Sequence, residues 1–416
     1  VTGFDVSPAA GAAALRADGV EVVLGGTGVE LLAGAGCVVK SPGVPRESAV
    51  IAAALERGIP VVGELELGWR MSAAEFVAVT GTNGKTTTVE LIGAIYREAG
   101  LPVEVAGNVG RALSELALTP LAPGTTIVCE CSSFQLEDTI AFAPEAAVLL
   151  NLTADHLDRH HTLERYREAK LRIFANQDDR AIAVLPETLV ASGPGLAAIG
   201  HAGEIPGRAE RLLYGSTDQC ALAIKDGVLS WYGEELLAES AIGMRGPIGN
   251  PLAAATVTLA RGVPIEAVRA ALQSFRGVAH RLEQIATIDG VLFVNDSKAT
   301  NIASTRVALD AFAPGSVLLI LGGQGKAQDF GALRDAVAAS AAHSYLIGED
   351  AEQIAAALEG LPVTAAGTLE RALELARAAA SPGMVVLLSP ACASFDQFAD
   401  FEARGDAFRR LVNGEA

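Results

Sequence analysis

The segment Phe76–Ile92 reads FVAVTGTNGKTTTVELI and concentrates residues suited to phosphate chemistry. A buried-type strand, Phe76 to Val79, leads into Gly81-Thr82-Asn83-Gly84, and Lys85-Thr86-Thr87 open a helix expected to run to Ala99, before Gly100 and Pro102. Strand, glycine-rich turn and helix N-terminus aim backbone N–H groups and the positive end of a helix dipole at one spot, which suits an anion. Lys85 adds a point charge for terminal phosphates and Thr86 a hydroxyl for Mg²⁺. The loop is shorter than the form G-x-x-x-x-G-K-[ST], whose first glycine would fall on Val79. ATP is the expected ligand. A turn that holds a lysine by coincidence is the bland alternative, and the strand–loop–helix context weighs against it.

Two further stretches place polar groups at strand ends. TTIVCECSSFQLE ends a strand at Glu130 and continues through Ser132, Ser133 and Gln135. A carboxylate ending a strand beside a phosphate loop is a usual metal ligand. EAAVLLNLTADHLDRHHTLERYREAKLRIF gives another buried strand, a turn holding His156, Asp158, Arg159, His160 and His161, and a helix from about Thr162 to Phe174. Read from its own neighbourhood, Lys170 is a basic residue on an amphipathic helix.

The elements that position these groups alternate strand with helix, the pattern of parallel sheets with helices on their faces. Before Phe76 the alternation runs through Val1–Asp5 as a strand, Ala9–Asp18 as a helix, VEVVLG and CVVKSPGVP as strands, Ser48–Arg57 as a helix, and IPVVGELEL as strand and turn. A dinucleotide-type unit opens with strand, glycine turn and helix, and none precedes Val1, so the first such element is expected to be missing. After Arg276, two strand-like runs joined by Asp289-Gly290 predict a hairpin, and alternation then resumes through SVLLILGG, HSYLIG and MVVLLSP. The expectation is an α/β chain of three domains, 1–70, 71–276 and 277–416: a truncated Rossmann-like N-terminal domain, a central P-loop-type parallel-sheet domain and a C-terminal Rossmann-like domain.

The 416 residues carry 31 basic and 49 acidic side chains, a net charge of −18. Nucleic acid and anionic membrane are poor partners for such a surface, whereas a nucleotide needs only local cations. No apolar run reaches the ~18–20 residues of a membrane span. Five cysteines without metal-ligand spacing fit a reducing, cytoplasmic compartment better than a disulfide framework.

GTNGKTTT, ECSSFQLE, NLTADHLDRH and YREAKLRIF together resemble the Mur ligase family, which builds the peptide of bacterial cell-wall precursors. HRLE, NDSKATN and LSPACASFDQF resemble, within it, the member that adds D-glutamate to UDP-N-acetylmuramoyl-L-alanine. The resemblance runs from about Asp5 to the end of the chain. It implies an ATP-dependent ligase: ATP phosphorylates a carboxylate, the amine of glutamate attacks the acyl phosphate, and phosphate leaves a tetrahedral intermediate. It implies that Gly81 to Thr87 hold ATP, with Asn250, Arg281 and Asp296. Thr86, Glu130, His156 and Lys170 would serve two Mg²⁺ sites, with Lys170 carried as a carbamate, the reverse of its reading as surface charge. Asp5, Ser41, Gly43, Asn108, Ser133, Gln135 and His156 would meet the UDP acceptor. Thr300, Lys326, Ser394 and Phe401 would hold glutamate, and Lys298, with Asp296, would sit near the phosphates and incoming amino acid. A cytoplasmic monomer that closes on its substrates is expected.

Two departures from the family pattern stand out. The missing N-terminal element puts the uridine cradle in question, and GMRGPIGNPLAAA keeps only Asn250 of the usual adenine-side asparagines. The alternatives are a folylpolyglutamate synthase or other Mur-type ligase, a ligase that adds L-glutamate, and a weakly catalytic nucleotide-binding homologue.

Overall fold

The computed structural model describes residues 1–5, 12–153, 155–190, 205–244, 246–325 and 328–415, with only the backbone of 157 and 158. The chain divides into two compact units. One holds Val1–Lys225, Ser230–Glu234 and Leu252–Ala267; the other holds Asp226–Leu229, Glu235–Pro251 and Val268–Ala416.

In the first unit the central layer is parallel. To a nine-stranded sheet it contributes, in hydrogen-bonded order, Leu222–Lys225, Glu210–Gly215, Ile182–Pro186, Ala146–Leu149, Glu75–Thr80, Thr126–Glu130 and Val103–Gly107. Glu75–Thr80 lies between Ala146–Leu149 and Thr126–Glu130, with Val79 opposite Glu130 and Thr80 opposite Leu149. The phosphate-type loop, Glu130 and the turn after Leu149 therefore leave the same edge of the layer. Phe76 to Val79 and Ile127 to Cys129 are all buried. Such unbroken apolar runs are what a sheet covered on both faces requires.

The helix after the loop spans Lys85–Glu98 and starts from Gly84, whose φ of 86° favours a residue without a side chain. Helices Ala49–Glu56 and Leu163–Leu171 fall inside the expected segments, the second extended by a 3₁₀ turn to Phe174. Of the first expected helix, Ala12–Ala17 is helical, and residues 9–11 lie outside the described residues.

In the N-terminal region the strands pair in parallel, as the alternation of strand and helix implies. Thr2–Asp5 pairs in parallel with Glu21–Leu24, and Val38–Lys40 with Val61–Gly63, as two separate two-stranded ladders. Strands of three or four residues bury little. The second pair has a core of its own, Leu32, Ile51, Ala54 and Val61. GELEL is not a turn: Glu64–Met71 is a helix. Its Glu66 is fully buried and accepts hydrogen bonds from the backbone N–H groups of Ile140, Ala141 and Phe142, each at 3.0 Å. The sequence near Glu66 does not show this use of its carboxylate, because the donors lie far away along the chain.

The sheet of the second unit runs Glu283–Ile288, Val291–Asn295, Val385–Leu388, Val317–Gly322, Ala341–Ile347, Val363–Gly367. The first pair is antiparallel and joined at Asp289-Gly290, whose φ values of 51° and 77° suit a tight hairpin turn; the other pairs are parallel. Val294, Leu319, Leu321 and Leu387 enter one core, and Phe293, Leu318, Ile320 and Leu388 the other, so both faces are covered. Among the described residues no helix is long and apolar enough to cross a membrane. All five cysteines are free thiols; Cys37 is exposed and the other four are buried.

Candidate active site

In the first unit the loop is braced from three sides. Asn83 N donates to Asn151 Oδ1 at 2.9 Å, and Asn151 Nδ2 returns a bond to Asn83 O at 3.1 Å. The Thr82 hydroxyl lies 3.0 Å from the Tyr166 hydroxyl and 3.1 Å from Thr153 O. Lys85 Nζ donates to Gly81 O at 3.0 Å and Thr82 O at 2.9 Å. These carbonyls hold the ammonium above the loop, where incoming phosphate oxygens would compete for it. Among the described residues the buried Thr87 hydroxyl oxygen has no hydrogen-bond partner.

Glu130 is buried and shared. Thr86 Oγ1 donates to its Oε2 at 2.7 Å and Asn108 Nδ2 to its Oε1 at 3.0 Å, so one carboxylate joins the phosphate-type loop to the turn after Val103–Gly107. Gly107 permits this approach: a Cβ there would lie 2.4 Å from Glu130 O. Neither donor carries charge, which leaves the buried carboxylate suited to a cation. Among the described residues no three His, Cys, Asp or Glu side chains are grouped to hold a metal ion. Mg²⁺ does not require such a cage, because it commonly takes one or two carboxylates and completes its shell with phosphate and water. The donor set therefore fits a phosphate-bound Mg²⁺.

Lys170 is 1% exposed and not a surface residue. Its Nζ donates to Gly81 O at 2.8 Å, lies 3.4 Å from Thr80 Oγ1, and sits 4.8 Å from the Tyr166 ring centre. Burial first, and then the charge of Lys85, holds this amine well below the usual lysine range, which favours its neutral form.

His156 has φ 51°, a strained value for a non-glycine residue, and packs its ring on Phe134 at 4.8 Å. His160 stacks on Phe134 at 5.5 Å, and its Nε2 lies 3.0 Å from the Ser133 hydroxyl. Burial pushes His160 below the ordinary histidine value, with a smaller contribution from His156. Gln135 is taken up locally: its Oε1 accepts from Ser132 N at 2.9 Å while Ser132 Oγ accepts from Gln135 N, a capping box on the helix Ser133–Glu137. Asp5 ends its strand half-buried, and Ser41 and Gly43 are exposed in their turn.

In the second unit three loops leave neighbouring strands. Asp296 is buried; it accepts from Ser389 Oγ at 2.8 Å and from Leu282 N at 3.1 Å. Burial pushes its carboxyl up to about 7, against the opposing pull of those bonds and of Arg281. Arg281 Nε is buried without a hydrogen-bond partner among the described residues, and so is the Ser394 hydroxyl oxygen. Lys298 Nζ lies 5.4 Å from the Phe401 ring centre, and Thr300 N donates to Lys298 O at 2.9 Å. Asn250 is buried in the first turn of Gly249–Ala260. Lys326 lies outside the described residues.

Sequence reading passed over Tyr166, Asn151, Ser389 and Arg404. Arg404 is 1% exposed and donates to Ser297 Oγ, Ser297 O, Cys392 O and Ala393 O at 2.9–3.2 Å, which ties the NDSK turn to the SPACAS loop. Nothing in the spacing of these residues marks them, because their partners lie on other elements.

The chain matches the family model of the Mur ligase middle domain over residues 79–192 and that of the Mur ligase glutamate ligase domain over 280–392. It is 42% identical over 412 residues to the UDP-N-acetylmuramoylalanine–D-glutamate ligase of Acidobacterium capsulatum, covering 96% of this chain and 87% of that protein. The ligase of the same name from Pelotomaculum thermopropionicum is 40% identical over 415 residues, covering 96% and 88%. Among solved structures, the UDP-N-acetylmuramate-alanine ligase MurC of Thermotoga maritima matches with a TM-score of 0.62 at 18% identity, over 100% of this chain and 93% of that one. The MurF ligase of Thermotoga maritima in complex with ADP matches with a TM-score of 0.61 at 20% identity, over 91% and 95%. These two likenesses concern the fold, while the full-length sequence identity decides kinship: the chain belongs to the Mur ligase family.

Proposed function

We propose that the protein is an ATP-dependent ligase that adds D-glutamate to UDP-N-acetylmuramoyl-L-alanine in peptidoglycan precursor synthesis. The observation that carries this reading is the buried Glu130 carboxylate, bonded through one oxygen to Thr86 of the phosphate-type loop and through the other to Asn108. It is the common wall of a nucleotide site and an acceptor site. The relatives of that name, about 40% identical over nearly the whole chain, support the same substrates.

A carboxylate is a poor electrophile because its leaving group would be oxide. Its oxygen therefore attacks the γ-phosphorus of ATP, the bond to ADP breaks, and an acyl phosphate results. The free amine of glutamate then adds to the acyl carbon; the C–N bond persists, the C–O bond to phosphate breaks, and one proton is released. The chain's task is positioning and charge neutralisation. Lys85 and the loop amides, with Thr82, Asn83 and Thr87, hold the phosphates, and Arg281, whose buried Nε lacks a partner among the described residues, serves ATP as well. Asn250 contacts the adenine. Thr86, Glu130, His156 and, as its carbamate, Lys170 would hold Mg²⁺, which would supply screening of the phosphate and carboxylate charges from one another. Asp5, Ser41, Gly43, Asn108, Ser133 and Gln135 line or shape the path of the acceptor. Thr300, Lys326, Ser394 and Phe401 receive glutamate, and Asp296 and Lys298 serve the phosphates and the incoming amino acid.

Lys170 acts as a carbamate. Its suppressed basicity supplies the neutral nitrogen that adds to CO₂ with loss of a proton, and the product places an anion where the neutral amine stood. Labelled bicarbonate should give a protein-bound carbamate carbon signal that Lys170→Ala lacks; an equal signal in that variant would refute the modification.

The deciding assay is phosphate release with ATP, Mg²⁺, UDP-N-acetylmuramoyl-L-alanine and either glutamate isomer. Release that needs the acceptor and prefers D-glutamate is expected. Acceptor-independent release, or none from protein that binds ATP, would overturn the reading.

A further inference from the structure

A set of charged side chains beneath the Ser41-Pro42-Gly43 turn has no part in the chemistry above, and all of it lies in the first unit. Lys40 ends the strand Val38–Lys40, and Asp138 follows the helix Ser133–Glu137; their side chains are 0% and 1% exposed. Lys40 Nζ lies 2.6 Å from Asp138 Oδ2. The same ammonium donates to Val44 O at 2.9 Å and reaches Ser41 O at 3.5 Å. Arg46 Nε donates to Asp138 Oδ1 at 3.0 Å, and Gly63 N to Asp138 O at 3.2 Å. Val44 O is also 3.3 Å from Arg159 Nη2, which lies 3.4 Å from Glu137 Oε2.

Three segments meet in this set: the turn 41–44, the helix Ser133–Glu137 and the short helix Leu157–His160. A buried ion pair seldom stabilises a fold more than a well-packed apolar pair would, because desolvation offsets its attraction; what it can add is a fixed geometry. Here the geometry fixed is the offset of the Ser41–Val44 turn from Ser133 and His156. On the proposed function, these segments receive opposite ends of one long acceptor.

We propose that Lys40 and Asp138, assisted by Arg46, are positioning residues for the UDP acceptor. They set the separation between the turn that takes its uridyl end and the groups that take its reacting carboxylate. The inference rests on the ligase reading. It predicts a loss of acceptor affinity with the chemistry intact, since removing interactions that are equal in ground and transition states raises KM and leaves kcat.

Steady-state kinetics of Lys40→Met, Asp138→Asn, Arg46→Met and Lys40→Arg would test it. Acceptor KM should rise about tenfold or more in the first two and less in Arg46→Met, with kcat within about threefold and the KM for ATP unchanged. Lys40→Arg, which keeps charge and donors, should recover most of the acceptor KM. An unchanged acceptor KM in folded variants, or a parallel rise in all three substrate KM values, overturns the proposal and leaves a merely structural ion pair. If Lys40→Met and Asp138→Asn do not fold, the half-exposed Arg46 decides: an Arg46→Met acceptor KM equal to wild type counts against it. Absence of acceptor-dependent turnover in the wild-type protein would instead strike at the ligase reading.

Discussion

Asp296 carries the clearest pH signature among the individual side chains. Its folded value of about 7 stands above the ordinary 3.8 because burial disfavours the charge. Between those values the folded chain binds more protons at this site than the unfolded chain, so this group's contribution to stability falls as pH rises from ~4 to ~7. Three units correspond to about 4 kcal/mol. Asp296→Asn should therefore match wild type in denaturant melts near pH 4 and gain stability over it by pH 8, up to about that amount. A difference independent of pH would refute this. Asp296 was conspicuous in NDSKATN because motif residues at a strand's end are local in sequence. Arg404 and Tyr166 were not, although each spans more contacts, because their significance lies in which distant carbonyl or hydroxyl they meet.

At the scale of elements, the helix Glu64–Met71 is fastened through Glu66 to the backbone after the helix Ser133–Glu137, with Arg70 on the same carboxylate at 2.7 Å. Glu66→Gln would keep an acceptor for Ile140 N and Phe142 N but turn its amide N–H₂ toward Ala141 N and Arg70, which are donors themselves. A loss of about 2 kcal/mol or more in chemical denaturation is expected; a change under about 0.5 kcal/mol would mean that the fastening is slack. The hairpin at Asp289-Gly290 was readable because turn type follows from two adjacent residues. The helix 64–71 was not, since a buried acid looks like an exposed one until its donors are known. In the N-terminal region alternation of strand and helix gave the parallel pairing, but it does not say whether short pairs join into one sheet.

For the molecule as a whole, two units each with their own buried cores should not unfold as one. Calorimetry should resolve more than one transition, and ATP with Mg²⁺ should raise the one belonging to the unit that holds Gly81–Thr87, by about 2.7 kcal/mol at a hundredfold excess over Kd. A single transition that shifts intact would show that the two cores melt together. The distribution of sulfur has a practical bearing on such experiments. With Cys37 at the surface and Cys129, Cys131, Cys220 and Cys392 enclosed, a maleimide dye added to the native protein would attach at one place, close in sequence to Lys40, so the unaltered chain already carries a site-specific handle for following acceptor binding by fluorescence.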